Sequence, residues 1–452
     1  MDTEILGDSF NTVLLLIIIG LLSIYAFVEP KKPIPQSPNS SELPSLKNHK
    51  SASSCYSNSN FNTRDVYRIV ITGGPCAGKT TSINSVAKEL SKLGYSVYIV
   101  PEAATLLMKG GAMINLDGSD ESAQVELQAN LMQMQMALED TFTEIASATR
   151  EKSVILCDRG LMDGSAYISP ELWQVILDER GWSVVHLRDR RYEAVIHLVT
   201  AAQGAEEHYT VMNNEARYEG LEAARQTDLN TQKAWVGHSH LSIIDNVKGQ
   251  SFDDKMKRCQ ACVLRAVGLP TPMQFYKKFL VQLELDTEPS QIPILPSNIP
   301  SVRIYVEDTF LRVKDKKLDK IQKRGQSGSY TYMHAIRNKE INNEYTVTKC
   351  QITSQEYMRL LERKDPFRQT IKRVRFCFIY EESYFMLDKF LNVEEGILIL
   401  KIASEKKIEE ISIPSFIKLG RDIREDSRFN SHKLAKFNWY NSVDEKRIIP
   451  ED

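Results

Sequence analysis

The run Gly73-Gly74-Pro75-Cys76-Ala77-Gly78-Lys79-Thr80-Thr81 follows directly on the apolar stretch "RIVIT". It fits the pattern G-x-x-x-x-G-K-S/T, in which glycines let successive backbone N–H groups and the next helix N-terminus turn toward phosphate oxygens. Lys79 would reach the terminal phosphates of a nucleotide, GTP or ATP, and the Thr80 hydroxyl would hold Mg²⁺. Such an ion needs an acidic partner, and Asp158 stands directly after "VILC". Arg159 beside it and Glu102, after "YSVYIV", also fall at strand ends, where open α/β sheets bind ligands. Glu102 has the chemistry to take a proton from an acceptor hydroxyl, and Arg159 to offset developing charge. Equally, the two can form a structural ion pair or cap a helix. Arg217 and Arg225 lie in the polar stretch 204–231, which reads either as a lid that brings arginines to the phosphates or as a solvated helix. His238, His240, Cys259 and Cys262 are zinc-ligand types, but a lone C-x-x-C on a predicted helix is a weak pattern. No Asn-Lys-x-Asp guanine reader occurs; Asp245 and Asn246 end an apolar run where a base edge can be read.

These residues must be positioned by strands alternating with helices. After the glycine turn, Ile83, Val86, Leu90 and Leu93 share one face of a predicted helix that stops at Gly94. "SVILC", "EAVIHLV" (193–199) and "LSIIDN" (241–246) are further strands, with an amphipathic stretch from about 122 to 149 before the first of them. Alternation of this kind implies crossover connections and a parallel sheet covered on both faces. Beyond Pro270 and Pro272 short alternating runs such as "SVRIYVEDTF", "VRFCFIY" and "GILILKI" imply an antiparallel sheet or barrel. The division expected is 1–29 anchor, 30–66 linker, 67–272 P-loop domain, 273–440 barrel and 441–452 tail.

Composition narrows the partners. The 452 residues exceed what one core usually supports. A net charge of −2 gives no overall attraction for nucleic acid, so any polyanion site is local. Seven scattered cysteines read as reduced thiols rather than a disulfide framework. Val13 to Val28 is an uncharged apolar run with Asp2, Glu4 and Asp8 before it and Lys31 and Lys32 after it. Its length and flanks predict an N-terminal transmembrane helix with the rest of the chain on the cytosolic side; the localisation expected is the cytosolic face of a membrane, plasma or endosomal, or the cytoplasm. The Pro-, Ser- and Asn-rich residues 30–64 read as a disordered tether.

Residues 68–268, with "ITGGPCAGKTT", "PEAATLL", "LCDRG", "RYEAVIHLVTAAQGAEEHYT" and "SIIDN", resemble the P-loop domain of the TRPL translocation defect protein family, related to the nicotinamide riboside kinases. The resemblance implies GTP binding, phosphoinositide binding and a role in trafficking a membrane channel; the kinase relatives imply a small-metabolite kinase using ATP as the alternative. Residues 274–439 resemble a triphosphate-tunnel, or CYTH-type, barrel. The opening glutamates of that family fall on Gln274 and Tyr276, another acidic position on Lys349, and the late Glu-x-Glu on Lys401 and Ala403. Lys278, Arg324, Arg337, Arg373, Arg375, Arg421 and Arg428 keep the cationic character. Loss of carboxylates removes metal-assisted hydrolysis while retained cations keep attraction for phosphate. The resemblance therefore implies a barrel that binds an anion without cleaving it, or one whose cations pair with its own carboxylates.

Overall fold

The computed structural model describes residues 66–112, 120–209, 220–269, 276–283, 292–313, 318–339, 345–393, 397–404 and 406–437. The first sheet is parallel, in the order β2 (Ser96–Val100), β3 (Ser153–Asp158), β1 (Val66–Gly73), β4 (Ala194–Leu198), β5 (Leu241–Ile244). Its strands are continuous apolar runs because both faces are covered, and Ile69, Val70, Ile71, Ile155, Leu156, Val195 and Ile196 have no exposed surface.

Helices α1 (Lys79–Lys92), α2 (Ala103–Lys109), α3 (Glu121–Thr149), α4 (Pro170–Arg180), α5 (Leu221–Ala234) and α6 (Phe252–Ala266) fill the connections. Local chemistry sets their starts. Asp120 accepts from the Ala123 N–H to open α3, Ser169 caps α4 ahead of Pro170, and Ser251 and Asp254 form a reciprocal capping box on α6. On α1 the buried face is Ser82, Ile83, Val86 and Leu90, while Leu93 lies past the helix end and is half exposed.

The second sheet has nine antiparallel strands in the order β10 (Tyr345–Ile352), β9 (Ser329–Lys339), β8 (Leu318–Gln326), β7 (Ser301–Phe310), β11 (Ile371–Tyr380), β12 (Ser383–Phe390), β13 (Leu398–Ala403), β6 (Tyr276–Leu283), β14 (Ile417–Asp422). Helix α7 (Ser354–Leu361) follows β10. One face packs Phe279, Val374, Phe376, Phe378, Phe385, Leu387 and Leu400 against Leu295, Ile299, Ile411 and Phe416. The opposite face sends Ile304, Val306, Cys377, Tyr384, Met386 and Ala403 into the core that also holds Ile69 and Leu198, so one apolar cluster spans both sheets.

Two expectations of architecture are corrected. Among the described residues no helix is long and apolar enough to cross a membrane, so the described fold contains no membrane-spanning helix where one was expected; the run expected to form it, 13–28, lies outside the described residues, as do most of the expected linker and the tail. The expected barrel is a sheet with two edges: among the described residues β10 and β14 each pair on one side only, and β14 breaks register between Leu419 and Asp422. Alternation specifies which face a side chain takes; closure depends on pairing between strands remote in sequence. The expected boundary at 272 falls within 270–275, outside the described residues.

Candidate functional site

The phosphate loop is built by close approach. Gly73 has φ +148°, and a Cβ there would lie 2.1 Å from the Leu198 carbonyl oxygen; Gly78 has φ +89° and faces the Phe252 ring. Behind the loop Asp228 of α5 is fully buried. Its Oδ1 accepts from the N–H groups of Gly74 (2.8 Å) and Thr200 (3.1 Å) and meets His197 Nε2 at 3.1 Å; its Oδ2 accepts from Gln232 (2.8 Å). The Thr200 hydroxyl donates to the Pro75 carbonyl (2.5 Å). Asp163 braces the next strand end, accepting from Thr72, Gly160 and Trp235.

Pro75 to Thr81 line a cleft of about 1680 Å³, and Thr80 and Thr81 are exposed to it. The Lys79 ammonium donates to the carbonyls of Gly73 (3.0 Å) and Gly74 (3.1 Å), a position from which phosphates could draw it. Burial, with repulsion from Arg159, brings Lys79 down to about 8, against the pull of Asp158 and Glu102.

On the β2–β3 side, Arg159 holds a left-handed backbone (φ +70°) that carries its side chain to Glu102, with Nε 2.5 Å from Oε1. Thr105 donates to the other Glu102 oxygen (2.7 Å), and the Arg159 guanidinium lies over the Tyr167 ring. Burial opposes ionisation of Glu102, but Arg159, Thr105 and Lys79 outweigh it and hold its carboxyl below the ordinary value. Burial pushes Asp158 up despite Lys79, and its Oδ1 is buried without a hydrogen-bond partner. Asp158 and the exposed Thr80 line the same cleft, and an acceptor-only oxygen left without a partner there fits a hard cation, so Thr80 and Asp158 would hold Mg²⁺, which supplies counter-charge to phosphate. No group of three or more His, Cys, Asp and Glu that could hold a metal is assembled among the described residues, and His238 and His240 bond the carbonyls of Tyr192 and Glu193.

On the β4–β5 side, Asn246 donates to the carbonyls of Thr200 and Gln203 and accepts from Lys255 Nζ, which leaves its amide engaged. Asp245 accepts from Arg258 and pairs with Lys406. Arg217 lies outside the described residues; Arg225 donates to the Ala202 carbonyl and pairs with Glu206. Asp228, Asp163, Lys255 and Arg258, all structurally close to the loop, were not singled out from sequence. No motif marks them, because their partners are remote in sequence: Gly74 lies 154 positions from Asp228, Trp235 72 from Asp163, Val199 56 from Lys255 and Asp245 13 from Arg258.

The cations of the second sheet fall into four groups. Arg373 reaches Asp308 (2.7 Å), and Arg375 forms a two-pronged pair with Asp388 (2.6 and 2.7 Å). Lys278 donates to the Phe429 carbonyl, and Lys401, paired across β13 and β6 with Lys278, lies 3.8 Å from Asp388. Burial and the Arg375 charge bring Lys401 to about 7, against the pull of Asp388. Arg324 points toward the first sheet, where it pairs with Asp189 and donates to the Gly237 carbonyl. Arg421 and Arg428 share Asp426, and Arg337 is exposed on β9. Gln274 lies outside the described residues; Tyr276 faces Ala403 across the same strand pair as Lys278 and Lys401.

Residues 68–253 match the family model described as an AAA domain. Among solved structures the chain is similar to the inorganic triphosphatase NE1496, with TM-score 0.27 and 14% identity over 36% of this chain and 95% of that one. It is similar to a structure titled hypothetical protein NE1496 at TM-score 0.26 and 15% identity, over 35% and 95%. No curated protein matches, so the resemblance to the TRPL translocation defect family has no named counterpart among these relatives. Residues 68–253 are thus a P-loop nucleotide-binding domain.

Proposed function

We propose that the chain is a regulatory nucleotide-binding protein. Its P-loop domain takes the Mg²⁺ complex of a purine nucleoside triphosphate, GTP in preference to ATP. Its second sheet takes an anionic ligand, such as a phosphoinositide headgroup, without hydrolysing it. It acts at the cytosolic face of a membrane in the trafficking of a channel or other membrane protein. Guanine, phosphoinositide and trafficking rest on the sequence resemblance. The nucleotide rests on one observation: Lys79 and Asp158, whose Oδ1 has no hydrogen-bond partner, line one cleft across a glycine loop braced by Asp228. Titration calorimetry of the full chain with Mg²⁺ and GTP or ATP tests it. Lys79→Ala is expected to weaken binding at least a hundredfold; an unchanged affinity would remove the site assignment.

An imbalance of charge supports the anion site. Around Asp308, Asp388 and Asp426 stand Lys278, Lys320, Arg373, Arg375 and Lys401, five cations against three carboxylates. Tripolyphosphate is expected to bind there with no release of phosphate when Mg²⁺ is present. Phosphate release that survives Lys79→Ala and disappears with Arg373→Ala would contradict a non-hydrolytic sheet.

A second reading, a small-metabolite kinase, draws on the size of the cleft. About 1680 Å³ exceeds the ~300–1,000 Å³ of a typical single-ligand pocket, leaving room for an acceptor beside Glu102. The acceptor oxygen would attack the γ-phosphorus, its proton would pass to Glu102, and the nucleoside diphosphate would leave. Against this, Glu102 is bonded to Arg159 and Thr105 and held below the ordinary carboxyl range, which makes it a weak base. The kinase reading requires diphosphate formation stimulated by a nucleoside and lost in Glu102→Gln.

A further inference from the structure

The wall of the cleft beyond β4 and β5 is held from outside the nucleotide-binding domain. Ala201, Gly204, Asn246, Lys255 and Arg258 line it. Asn246 joins the two segments of this wall through the carbonyls of Thr200 and Gln203, and Lys255 fixes Asn246 and the Val199 carbonyl (2.7 Å). Two side chains of this wall then reach the second sheet. Gln203 Nε2 donates to Glu382 Oε1, and Asp245 Oδ2 pairs with Lys406 Nζ (2.5 Å), whose ammonium lies 3.8 Å from Glu382. Arg258, a lining residue, grips the other face of Asp245 through its Oδ1 (2.8 Å) and its carbonyl (2.6 Å).

The hairpin that carries Glu382 supplies independent evidence. Tyr380 pairs with Ser383, so Glu381 and Glu382 are the whole turn, at φ +41° and +60°. Two-residue turns of this hand favour Asn-Gly, since a Cβ is strained there. A second two-residue hairpin of the described sheet, between Gln326 and Ser329, has Ser327 at φ +49° but places Gly328 at its second position, and it reaches no lining residue of the cleft. Two adjacent glutamates in the left-handed region persist where the surroundings over-determine them, and here the surroundings are Gln203, Asp245 and Lys406.

We propose that Glu382 and Lys406 are positioning residues for the nucleotide cleft: the second sheet presses Gln203 and Asp245 into place and so sets part of the nucleotide affinity. By linkage, nucleotide in the cleft then alters how firmly this hairpin is held, a route from the P-loop to the sheet. The proposal rests on the nucleotide reading above.

The test uses the full chain, fluorescent GTP and ATP analogues with Mg²⁺, and thermal melting in parallel. Glu382→Ala is expected to weaken nucleotide binding about tenfold. The reciprocal exchange Gln203→Glu with Glu382→Gln rebuilds the hydrogen bond with its polarity reversed and is expected to restore affinity to within about twofold of wild type. The turn replacement Glu381→Asn with Glu382→Gly relieves the backbone, so it should raise Tm while still weakening nucleotide binding. That opposition separates positioning from a structural role. A higher Tm with unchanged affinity overturns the proposal, as does failure of the reciprocal exchange to recover a binding loss. Wild-type binding that Lys79→Ala leaves intact overturns the nucleotide reading instead, whatever the hairpin variants do.

Discussion

Lys79 donates to two carbonyls of its own loop, and a nucleotide must draw it from them. Its enclosed position lowers it to about 8, while phosphate oxygens raise it again in the bound state. Affinity should therefore be full below pH 8 and fall as pH rises through about 8, and binding in that window should take up protons. Calorimetry in two buffers of different ionisation enthalpy measures the uptake. The sheet gives a separate signature: Lys401 is held at about 7, so tripolyphosphate affinity should already fall through about pH 7. At this scale Gly73 to Thr81, Asp158, Glu102 and Arg159 were legible because motif and strand end coincide in sequence. The Arg159–Glu102 bond was open to either a catalytic or a structural reading, since a sequence carries no distances.

The phosphate loop owes its shape to two elements, β4 and α5, that a motif search passes over. Gly73 leaves no room for a Cβ against the Leu198 carbonyl, so Gly73→Ala should cost about 2–4 kcal/mol in denaturant unfolding and abolish nucleotide binding. Asp228 gathers four donors from Gly74, Thr200, His197 and Gln232. Asp228→Ala should cost about 2–3 kcal/mol and weaken nucleotide binding at least tenfold, although Asp228 Oδ1 itself faces the loop backbone and not the cleft. Calorimetry on the purified variant checks both numbers. The strands and the main helices could be read from apolar runs, caps and glycines. Asp228 could not, because its chief partner, Gly74, is 154 positions away and a lone aspartate on a polar helix looks like solvated surface. Residues 210–219, where Arg217 was expected to act, lie outside the described structure.

Across the molecule, polar contacts stitch the two sheets where their apolar faces meet. Arg324 pairs with Asp189, which also holds Arg188, and Tyr384 accepts from the Gly237 N–H and donates to the His238 carbonyl. Burial works against the Asp189 charge, but Arg188 and Arg324 hold its carboxyl far below the ordinary range. Arg324→Ala should thus destabilise the chain by about 2–4 kcal/mol, read from denaturant curves with an unchanged slope. An Arg324 aimed at the first sheet was unforeseen: the tunnel resemblance suggested a ligand, and only the packing of two sheets identifies Asp189 as its partner. The same limit explains the open edges of the nine-stranded sheet.

One apolar cluster runs from Ile69 and Leu198 into Ile304, Met386 and Ala403. The halves consequently cannot be inherited or transplanted one at a time. A recombination that exchanged only the nucleotide-binding half would have to bring a matching surface for its neighbour, or leave a raw oily face on each product. Lineages carrying this pairing should therefore change the two sides of the seam in step.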